Sequence, residues 1–218
     1  MALAIFDLDN TLIAGDSDHA WGAYLLEKGI VDSEHYRLQN DKFYLDYQEG
    51  NLDIYEYLNF SLAPLAKHEK TQLEAWRADF FESKIRPIIL DKGRALIRKH
   101  REQGDIPLII TATNRFVTQP IADELGIEHL IAVELEEDHT GYTGKPSGTP
   151  SYKDGKITRL NEWLDAQNLS MQKAHFYSDS HNDLPLLKLV DHPIAVDPDD
   201  TLRDYSETHD WPILSLRD

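Results

Sequence analysis

The sequence contains no cysteine and no long apolar run. Without cysteine the chain can form neither a disulfide nor a thiolate metal site, so any bound metal needs oxygen or nitrogen ligands. Apolar stretches such as residues 108–110 are far too short to cross a bilayer. The N-terminus also lacks the basic region, apolar stretch and cleavage site of a signal peptide. We therefore expect a cytoplasmic protein with no membrane partner.

Positive charge is scarce as well. The chain has 22 Lys and Arg residues against 39 Asp and Glu residues, which gives a formal net charge of -17 at pH 7. Nucleic-acid partners require a basic surface, so we expect none here. A phosphorylated ligand would meet the same repulsion, and its binding would depend on a local cation and on backbone amides.

The opening stretch, residues 4–11, reads Ala-Ile-Phe-Asp-Leu-Asp-Asn-Thr. An apolar run too short for a helix predicts a buried parallel strand, which here ends in two acids and a turn. Alternation points Asp7 and Asp9 the same way and turns Leu8 into the core. Ligands bind at the carboxyl ends of strands in open α/β sheets, and paired carboxylates need a cation or a shared proton. A functional site is predicted here; an acidic strand-to-turn cap is the plainer alternative.

The remainder of the chain alternates strands and helices after a long helical stretch. Residues 16–86 are predicted to be helical, with breaks near Gly50 and Pro64. Further strands are predicted at 106–110, 129–135, 175–177 and 194–196, helices at 90–103, 117–125 and from 155, and a hairpin or loop at 136–152. This alternation indicates an α/β fold with a parallel sheet covered on both faces. We expect a Rossmann-like core domain at 1–15 and 87–218 with an inserted helical cap domain at 16–86.

Polar side chains recur where successive predicted strands end. They are Asp7 and Asp9, then Thr111, then Asp179 and Asp183, with Lys156 near the start of the helix before the last pair. In this order they resemble the motifs of the haloacid dehalogenase superfamily of phosphatases, most specifically Asp7-Leu8-Asp9-Asn10-Thr11 and Asp179-x-x-Asn182-Asp183. The helical stretch resembles the cap found in phosphoserine phosphatases. The resemblance covers nearly the whole chain and implies a Mg²⁺-dependent phosphomonoester hydrolase.

The resemblance also implies a role for each motif residue. Asp7 would be the nucleophile and Asp9 the general acid and base, while Mg²⁺ would bind Asp7, the Asp9 backbone carbonyl and Asp179. Such a cation is needed because an attacking carboxylate and a phosphate dianion repel each other. Thr111 would donate a hydrogen bond to a phosphate oxygen, and Lys156 would add positive charge at the phosphoryl group.

Residues next to the motifs extend the candidate site. Asp183 would hold the metal shell or Lys156 in place, although Lys153 is close enough in sequence to take the role of Lys156. His181 lies inside the acidic motif and could face the site, which stays open at this point. We also expect three polar residues beside the motifs to contact the substrate: Thr113, Asn114 and Asn182.

The substrate is approached through the cap. In phosphoserine phosphatases an acid soon after the first motif binds the substrate ammonium, and an Arg on a cap helix binds its carboxylate. Here Asp16 falls at the position of that acid with Asp18 beside it, whereas residues 52–61 contain no Lys or Arg. A free carboxylate would meet acids and tyrosines there. Residues 15–21 also resemble bacterial histidinol-phosphate phosphatases, whose substrate carries an amine and an imidazole but no carboxylate.

We therefore expect a small phosphorylated metabolite, histidinol phosphate before others. Asp16 or Asp18 would bind its ammonium, and an aromatic residue such as Trp21 or Tyr24 would stack on the imidazole. Phosphoserine, another amino-alcohol phosphate or a phosphotransfer reaction are the enzymatic alternatives. A receiver-type phospho-Asp switch is the non-enzymatic one. Receivers carry an adjacent acidic pair after the first strand and lack a helical insertion, so the Asp7-x-Asp9 spacing favours turnover.

Overall fold

The computed structural model describes residues 2–31 and 33–217, and within them a seven-stranded sheet organises the chain. The strands are β1 (Leu3–Phe6), β2 (Ile106–Asn114), β3 (His129–Asp138), β4 (Gly141–Ser147), β5 (His175–Ser178), β6 (His192–Val196) and β7 (Ile213–Leu214). Their order across the sheet is β4-β3-β2-β1-β5-β6-β7. Every pairing is parallel except the antiparallel β3–β4 hairpin. The predicted α/β fold is confirmed, and β1 lies at the centre of its sheet.

Helices occupy the stretch between β1 and the next strand, as predicted. They are α1 (Ser17–Glu27), α2 (Ser33–Gln48), α3 (Ile54–Leu62) and α4 (Lys70–Phe80), followed by short π and 3-10 turns and by α5 (Asp91–Glu102). The predicted breaks separate α2 from α3, where Gly50 has φ +72°, and α3 from α4. The division into core and cap domains stays a prediction, and its end points Met1 and Asp218 lie outside the described residues, as does Asp32.

The later helices are α6 (Arg115–Glu124), α7 (Asp154–Gln167), α8 (Leu184–Leu187) and α9 (Asp200–Thr208). Three strands (β2, β3 and β5) run beyond their predicted ends, because sheet pairing continues after the apolar run stops. β2 extends through polar residues to Asn114, which pairs with Val133 of β3. The stretch predicted as a hairpin or loop is a hairpin, with Glu134 paired to Ser147. The short strand β7 beside β6 was not predicted, since two residues carry no detectable periodicity.

Alternation along β1 sends its side chains into two separate apolar cores. Leu3 and Ile5 pack on the face covered by α7, α8 and α9. Ala4 and Phe6 pack on the other face, which is covered by α5, α6 and the inserted helices, the name used here for α1 to α4 and the turns between them. All four side chains are buried. Full burial of a large apolar side chain stabilises the fold by about 1.5–3 kcal/mol. The strand that carries the first acidic motif is therefore held from both faces.

The β3–β4 hairpin packs against the inserted helices. Gly144 has φ +79°, and a Cβ there would lie 3.1 Å from the Cβ of Ala66 and 3.4 Å from the Leu62 carbonyl oxygen. Only glycine combines that backbone conformation with so close an approach. The hairpin thus contacts α3 and the turn that follows it.

Across the described parts of the chain, none of the helices combines the length and the apolar character that a membrane span requires.

A cluster of histidines lies at the amino end of β5, away from the acidic motifs. His100 is buried, with Nδ1 2.9 Å from Asp105 Oδ2 and Nε2 2.8 Å from the Tyr177 hydroxyl. The His175 ring stacks on His192 at 4.4 Å between centroids. Burial, followed by the neighbouring imidazoles of His100 and His192, lowers the pKa of His175.

This lowered pKa gives the cluster a pH-dependent effect on stability. As pH falls through the pKa of the unfolded chain, near 6.5, the unfolded chain binds a proton that folded His175 does not bind. The free energy of unfolding therefore decreases. We expect His175→Gln to lose less stability than the parent between pH 7.5 and 5.5, measured by urea unfolding. Equal losses in the two proteins would contradict the assignment; comparing the difference cancels the contribution of the buried carboxyls.

Candidate active site

The floor of the site is a buried ion cluster at the carboxyl end of β1. The Lys156 Nζ atom lies 2.7 Å from Asp7 Oδ1 and 2.8 Å from Asp183 Oδ2. All three side chains are buried. Lys156 reaches this position because α7 begins very close to the preceding turn: a Cβ on Gly155 would lie 2.0 Å from the Pro150 carbonyl oxygen. Glycine at 155 therefore allows the approach that places the ammonium between the two acids.

Three donors orient the Asp9 carboxyl group. Its Oδ1 accepts the backbone N–H of Ser17 at 2.6 Å, at the first residue of α1. Its Oδ2 accepts the hydroxyl of Thr113 at 2.8 Å and that of Thr111 at 3.4 Å. The predicted residue Thr111 thus lies at the site, while its neighbour Thr113 makes the shorter contact. Asp9 is held at the N-terminal end of a helix, where the helix dipole favours a carboxylate.

The acidic motif after β5 is tied to the first motif. Thr11 donates its hydroxyl to Asp179 Oδ1 at 3.1 Å and accepts the Asp179 backbone N–H at 3.1 Å. Ser178 donates to Asp183 Oδ2 at 2.7 Å. Neither Thr11 nor Ser178 was a predicted site residue, although Thr11 belongs to the first motif. Both fix carboxylates that the sequence placed at strand ends.

Burial dominates the electrostatics of these acids. Burial, opposed by Lys156 and reinforced by Asp183 and Asp9, raises the pKa of Asp7 to about 7. Burial and then Asp16 raise the pKa of Asp9 to about 6, against the hydrogen bonds from Ser17.

Neighbouring charges also shift the pKa values of Asp179 and Lys156. Burial, with Asp7 and Asp183 adding, raises the pKa of Asp179 well above its usual range. Burial acts to lower the pKa of Lys156, but Asp183 and Asp7 outweigh it, so that pKa is raised. Lys156 therefore stays charged, and the carboxyl groups around it remain short of positive charge.

The lack of positive charge around these carboxyl groups bears on whether the site suits a metal ion. Among residues 2–31 and 33–217, no group of three or more His, Asp or Glu side chains is arranged to hold a metal ion. Mg²⁺ does not need one, since it binds one or two carboxylates and completes its shell with carbonyl, water and substrate oxygens. Asp7 and Asp179 supply hard oxygen ligands, and the Lys156 ammonium alone does not neutralise the carboxyl groups around it. The residues present therefore fit Mg²⁺, and its binding to Asp7, Asp179 and the Asp9 carbonyl stays a prediction.

A cavity of about 520 Å³, its open mouth included, lies between this floor and the inserted helices. Its floor consists of Asp7, Asp9, Thr111, Ala112 and Thr113, and its walls of Asp16, Asp18, His19, Asn40, Phe43, Tyr44, Tyr47, Leu52, Ile54 and Tyr57. Within the described chain, no Lys or Arg lines it. The His19 Nε2 atom lies 3.0 Å from Asp41, and the ring stacks on Tyr44. Such acidic and aromatic walls favour a cationic ligand.

The two predicted ammonium-binding acids, Asp16 and Asp18, both line the cavity but differ in their surroundings. Asp16 is the N-cap of α1, and its Oδ1 accepts the backbone N–H groups of Asp18 at 3.0 Å and His19 at 2.8 Å. Asp18 is only 7% exposed and accepts from Asn114 Nδ2 at 3.4 Å.

The predicted stacking residues Trp21 and Tyr24 belong to the core, which corrects the expectation that they contact substrate. The rings of Trp21 and Tyr24 stack on each other at 5.5 Å, and Phe80 and Phe116 meet Trp21 edge-on at 5.1 and 5.6 Å. Trp21 is 2% exposed. Both side chains lie on the buried face of α1. The cavity aromatics come from α2 and α3, where sequence offered no means of choosing among many.

Asn114 and Asn182 also lie outside the cavity lining. Asn114 is the N-cap of α6 and accepts the Val117 backbone N–H at 3.1 Å. Asn182 donates to the Tyr47 carbonyl oxygen at 2.9 Å. In this arrangement both side chains position neighbouring elements instead of facing the cavity.

His181 and Lys153 contact the turn after α2. Lys153 Nζ donates to the Gly50 carbonyl oxygen at 2.7 Å, so Lys156 alone of the two lysines reaches Asp7. The His181 Nδ1 atom lies 2.8 Å from Asp199 Oδ2, and its Nε2 would be 2.7 Å from a Cβ on Gly50. His181 therefore packs against the inserted helices and not into the cavity.

Comparisons with known proteins identify the family of this chain. A family model for haloacid dehalogenase-like hydrolases matches residues 4–188. A histidinol-phosphatase from Neisseria meningitidis serogroup C is 48% identical over 219 residues, covering 99% of this chain and 99% of the relative. A phosphoserine phosphatase from Mycobacterium tuberculosis is 28% identical and covers 99% of this chain and 71% of its own length.

Solved structures show the same architecture. A Bordetella pertussis Tohama I protein of unknown function has a TM-score of 0.93 and 39% identity, over 99% of both chains. A substrate-bound phosphoserine phosphatase has a TM-score of 0.72 over 99% of this chain and 93% of its own, at 16% identity, a likeness that concerns the fold alone.

The chain therefore belongs to the haloacid dehalogenase-like hydrolase family. The predictions of a hydrolase of this family and of a phosphoric monoester hydrolase are confirmed. The roles of the individual site residues stay predictions.

The buried ion cluster has a consequence for stability. We expect Lys156→Met to lower the free energy of unfolding by about 3 kcal/mol, because it leaves two buried carboxylates without their cation. Lys153→Met is the matched control; it loses one partly exposed contact and should cost less than about 1 kcal/mol. Urea unfolding in EDTA measures both, and equal losses would show that Lys156 does not neutralise the cluster.

Proposed function

We propose that this chain is a Mg²⁺-dependent histidinol-phosphatase that works through an aspartyl-phosphate on Asp7. One observation carries the proposal: the Lys156 ammonium lies between Asp7 and Asp183, and Asp7 forms part of the floor of a cavity walled by acids and aromatics. The floor suits a phosphoryl group and the walls suit a cationic leaving group. The full-length similarity to the Neisseria histidinol-phosphatase supports the same substrate.

The first half-reaction needs Asp7 ionised and Asp9 protonated. Burial raises the pKa of Asp7 to about 7, above the value of about 6 for Asp9, so ionisation of Asp7 would depend on the positive charge of a metal ion beside it. An oxygen of the Asp7 carboxylate bonds to phosphorus while the ester P–O bond breaks. The Asp9 carboxyl group gives its proton to the departing alkoxide, so the alcohol leaves neutral. Burial holds the pKa of Asp9 at about 6, which keeps a protonated fraction available near neutral pH. Ser17 and Thr113 hold that carboxyl group in position.

The second half-reaction reverses the role of Asp9. Its carboxylate takes a proton from water as the water oxygen bonds to phosphorus. The bond between phosphorus and Asp7 then breaks, which releases inorganic phosphate and restores both carboxyl groups.

Positive charge at the floor would stabilise the phosphoryl group throughout. Lys156 remains charged between Asp7 and Asp183 and directs an ammonium at the reacting centre. Thr111 lies at the same floor and would turn its hydroxyl from the long 3.4 Å contact with Asp9 to a phosphate oxygen, while Thr113 keeps its 2.8 Å contact with Asp9. Bound by Asp7, Asp179 and the Asp9 carbonyl, Mg²⁺ would offset the repulsion between the carboxylate and the phosphate dianion.

The walls favour histidinol phosphate over phosphoserine. Both compounds carry an ammonium that Asp16 or Asp18 can bind, but phosphoserine also carries a carboxylate. No Lys or Arg among the described residues lines the cavity to receive it. A carboxylate placed among acids is disfavoured by repulsion and by lost hydration. The product is histidinol, so the enzyme would act in histidine biosynthesis, in the cytoplasm.

A substrate panel tests this preference. We expect kcat/KM for L-histidinol phosphate to exceed that for L-phosphoserine by about 100-fold or more, since one uncompensated buried charge is worth several kcal/mol. Phosphate release is measured for both esters with the same enzyme preparation and Mg²⁺ concentration. A higher kcat/KM for phosphoserine would reject the proposed substrate while leaving the hydrolase chemistry intact.

Metal removal and the nucleophile are tested together. EDTA should abolish hydrolysis of a chromogenic phosphate ester, and excess Mg²⁺ should restore it.

Asp7→Asn should reduce kcat by about 1,000-fold or more, because the amide cannot form the phosphoryl bond. Circular dichroism shows whether the variant folds. Ordinary turnover by folded Asp7→Asn, or activity indifferent to EDTA, would contradict the mechanism.

A further inference from the structure

Asp18 is a buried carboxyl group that the proposed chemistry does not use. Its side chain lines the cavity and is 7% exposed. Its partners are neutral: the amide of Asn114 at 3.4 Å and the hydroxyl of Tyr57. No Lys, Arg or His of the described chain forms an ion pair with it.

This position is costly for the free protein. Burial first, and then the negative charge of Asp16, raise the pKa of Asp18 to about 8. A buried carboxyl group without a counter-charge destabilises the fold unless a ligand supplies the missing partner. Asp16, by contrast, is partly exposed and has two backbone N–H groups as partners at the start of α1.

The surroundings of Asp18 suit a flat ring. Phe43 and Tyr57 line the cavity and meet in a T-shaped contact with 5.4 Å between ring centroids. Leu52 and Ile54 add apolar surface to the same cavity. An aromatic ring with a polar N–H matches such a wall, since its faces contact aromatic and apolar groups while its edge donates to a carboxyl oxygen.

The two acids also lie in an order along the cavity. Asp16 directly precedes Ser17, whose backbone N–H donates to Asp9 Oδ1 at 2.6 Å. Asp16 therefore lies towards the phosphoryl floor. Asp18 instead hydrogen-bonds Tyr57 of α3, in the inserted helices. In a phosphate ester of the histidinol type, the ammonium is one carbon closer to the phosphate than the ring.

We propose that Asp18 is the specificity-determining residue for a second basic group of the substrate, the N–H edge of an imidazole-type ring, whereas Asp16 binds the ammonium. This assignment rests on the proposed function as a histidinol-phosphatase and deepens it. Two acids that differ in burial would thus each bind a different part of one leaving group.

Three esters separate the two recognition roles. They are histidinol phosphate, phenylalaninol phosphate, which keeps the amine and replaces imidazole with an apolar ring, and 3-(imidazol-4-yl)propyl phosphate, which keeps the ring and lacks the amine. The variants are Asp18→Asn and the matched Asp16→Asn. Both substitutions keep side-chain shape, and Asn remains a good N-cap for α1 at position 16.

We expect Asp18→Asn to lower kcat/KM about 100-fold for both imidazole esters and to change that for phenylalaninol phosphate less than about 3-fold. Asp16→Asn should lower kcat/KM for both amine-bearing esters and spare the imidazolylpropyl ester. Equal losses on all three esters for Asp18→Asn would overturn the proposal, since a purely structural role affects every substrate alike. A loss of kcat/KM in Asp16→Asn that is confined to the two imidazole esters would also overturn it.

A second variant keeps the test decisive if Asp18→Asn fails to fold. Tyr57→Phe removes the hydroxyl partner of Asp18 and keeps the ring. It should lower kcat/KM for the imidazole esters about 10-fold relative to phenylalaninol phosphate. An unchanged ratio would overturn the proposal. Failure of the proposed function is a separate result: the parent enzyme would then prefer phosphoserine to histidinol phosphate.

Discussion

The contact on which the rest of the site depends is the Lys156 ammonium held between Asp7 and Asp183. It joins the end of β1, the first turn of α7 and the acidic stretch after β5, which are distant in sequence. Each of these charges is buried, so none is stable without the others. The requirement for mutual compensation fixes the nucleophile, and it also explains why the turn before α7 must approach closely enough to exclude any side chain at Gly155.

The acidity of the chain and its phosphorylated substrate are compatible because charge is segregated within the cavity. Beneath the floor, the Lys156 ammonium lies beside Asp7, whose carboxyl group with that of Asp179 would hold a Mg²⁺ ion that adds further positive charge. The walls are acidic and aromatic and contain no Lys or Arg among the described residues. In the proposed reaction, one end of the cavity would hold the phosphoryl dianion and the other a cationic alcohol. A net charge of -17 across the whole chain then opposes binding far less than it would on an open surface.

The α/β fold was predictable because short buried strands and amphipathic helices have distinct periods, and so was the placement of Asp7, Asp9, Asp179 and Asp183 at strand ends. Other features were not predictable. Lys153 and Lys156 lie at the same helix start, and only the orientation of α7 shows which one reaches Asp7. Trp21 was expected to contact substrate, but residue type alone does not show whether an aromatic side chain meets the core or the cavity.

By itself, therefore, the sequence determined the alternation of strands and helices, the acids at the strand ends and the lack of Lys and Arg in residues 52–61. These properties are local, since they depend on side-chain period and residue type. Tertiary structure alone decided the neutral partners of buried Asp18, the short contact of Thr113 with Asp9 and the choice of aromatics around the cavity. Such properties depend on distances between elements far apart in the chain, which packing sets and no local pattern encodes.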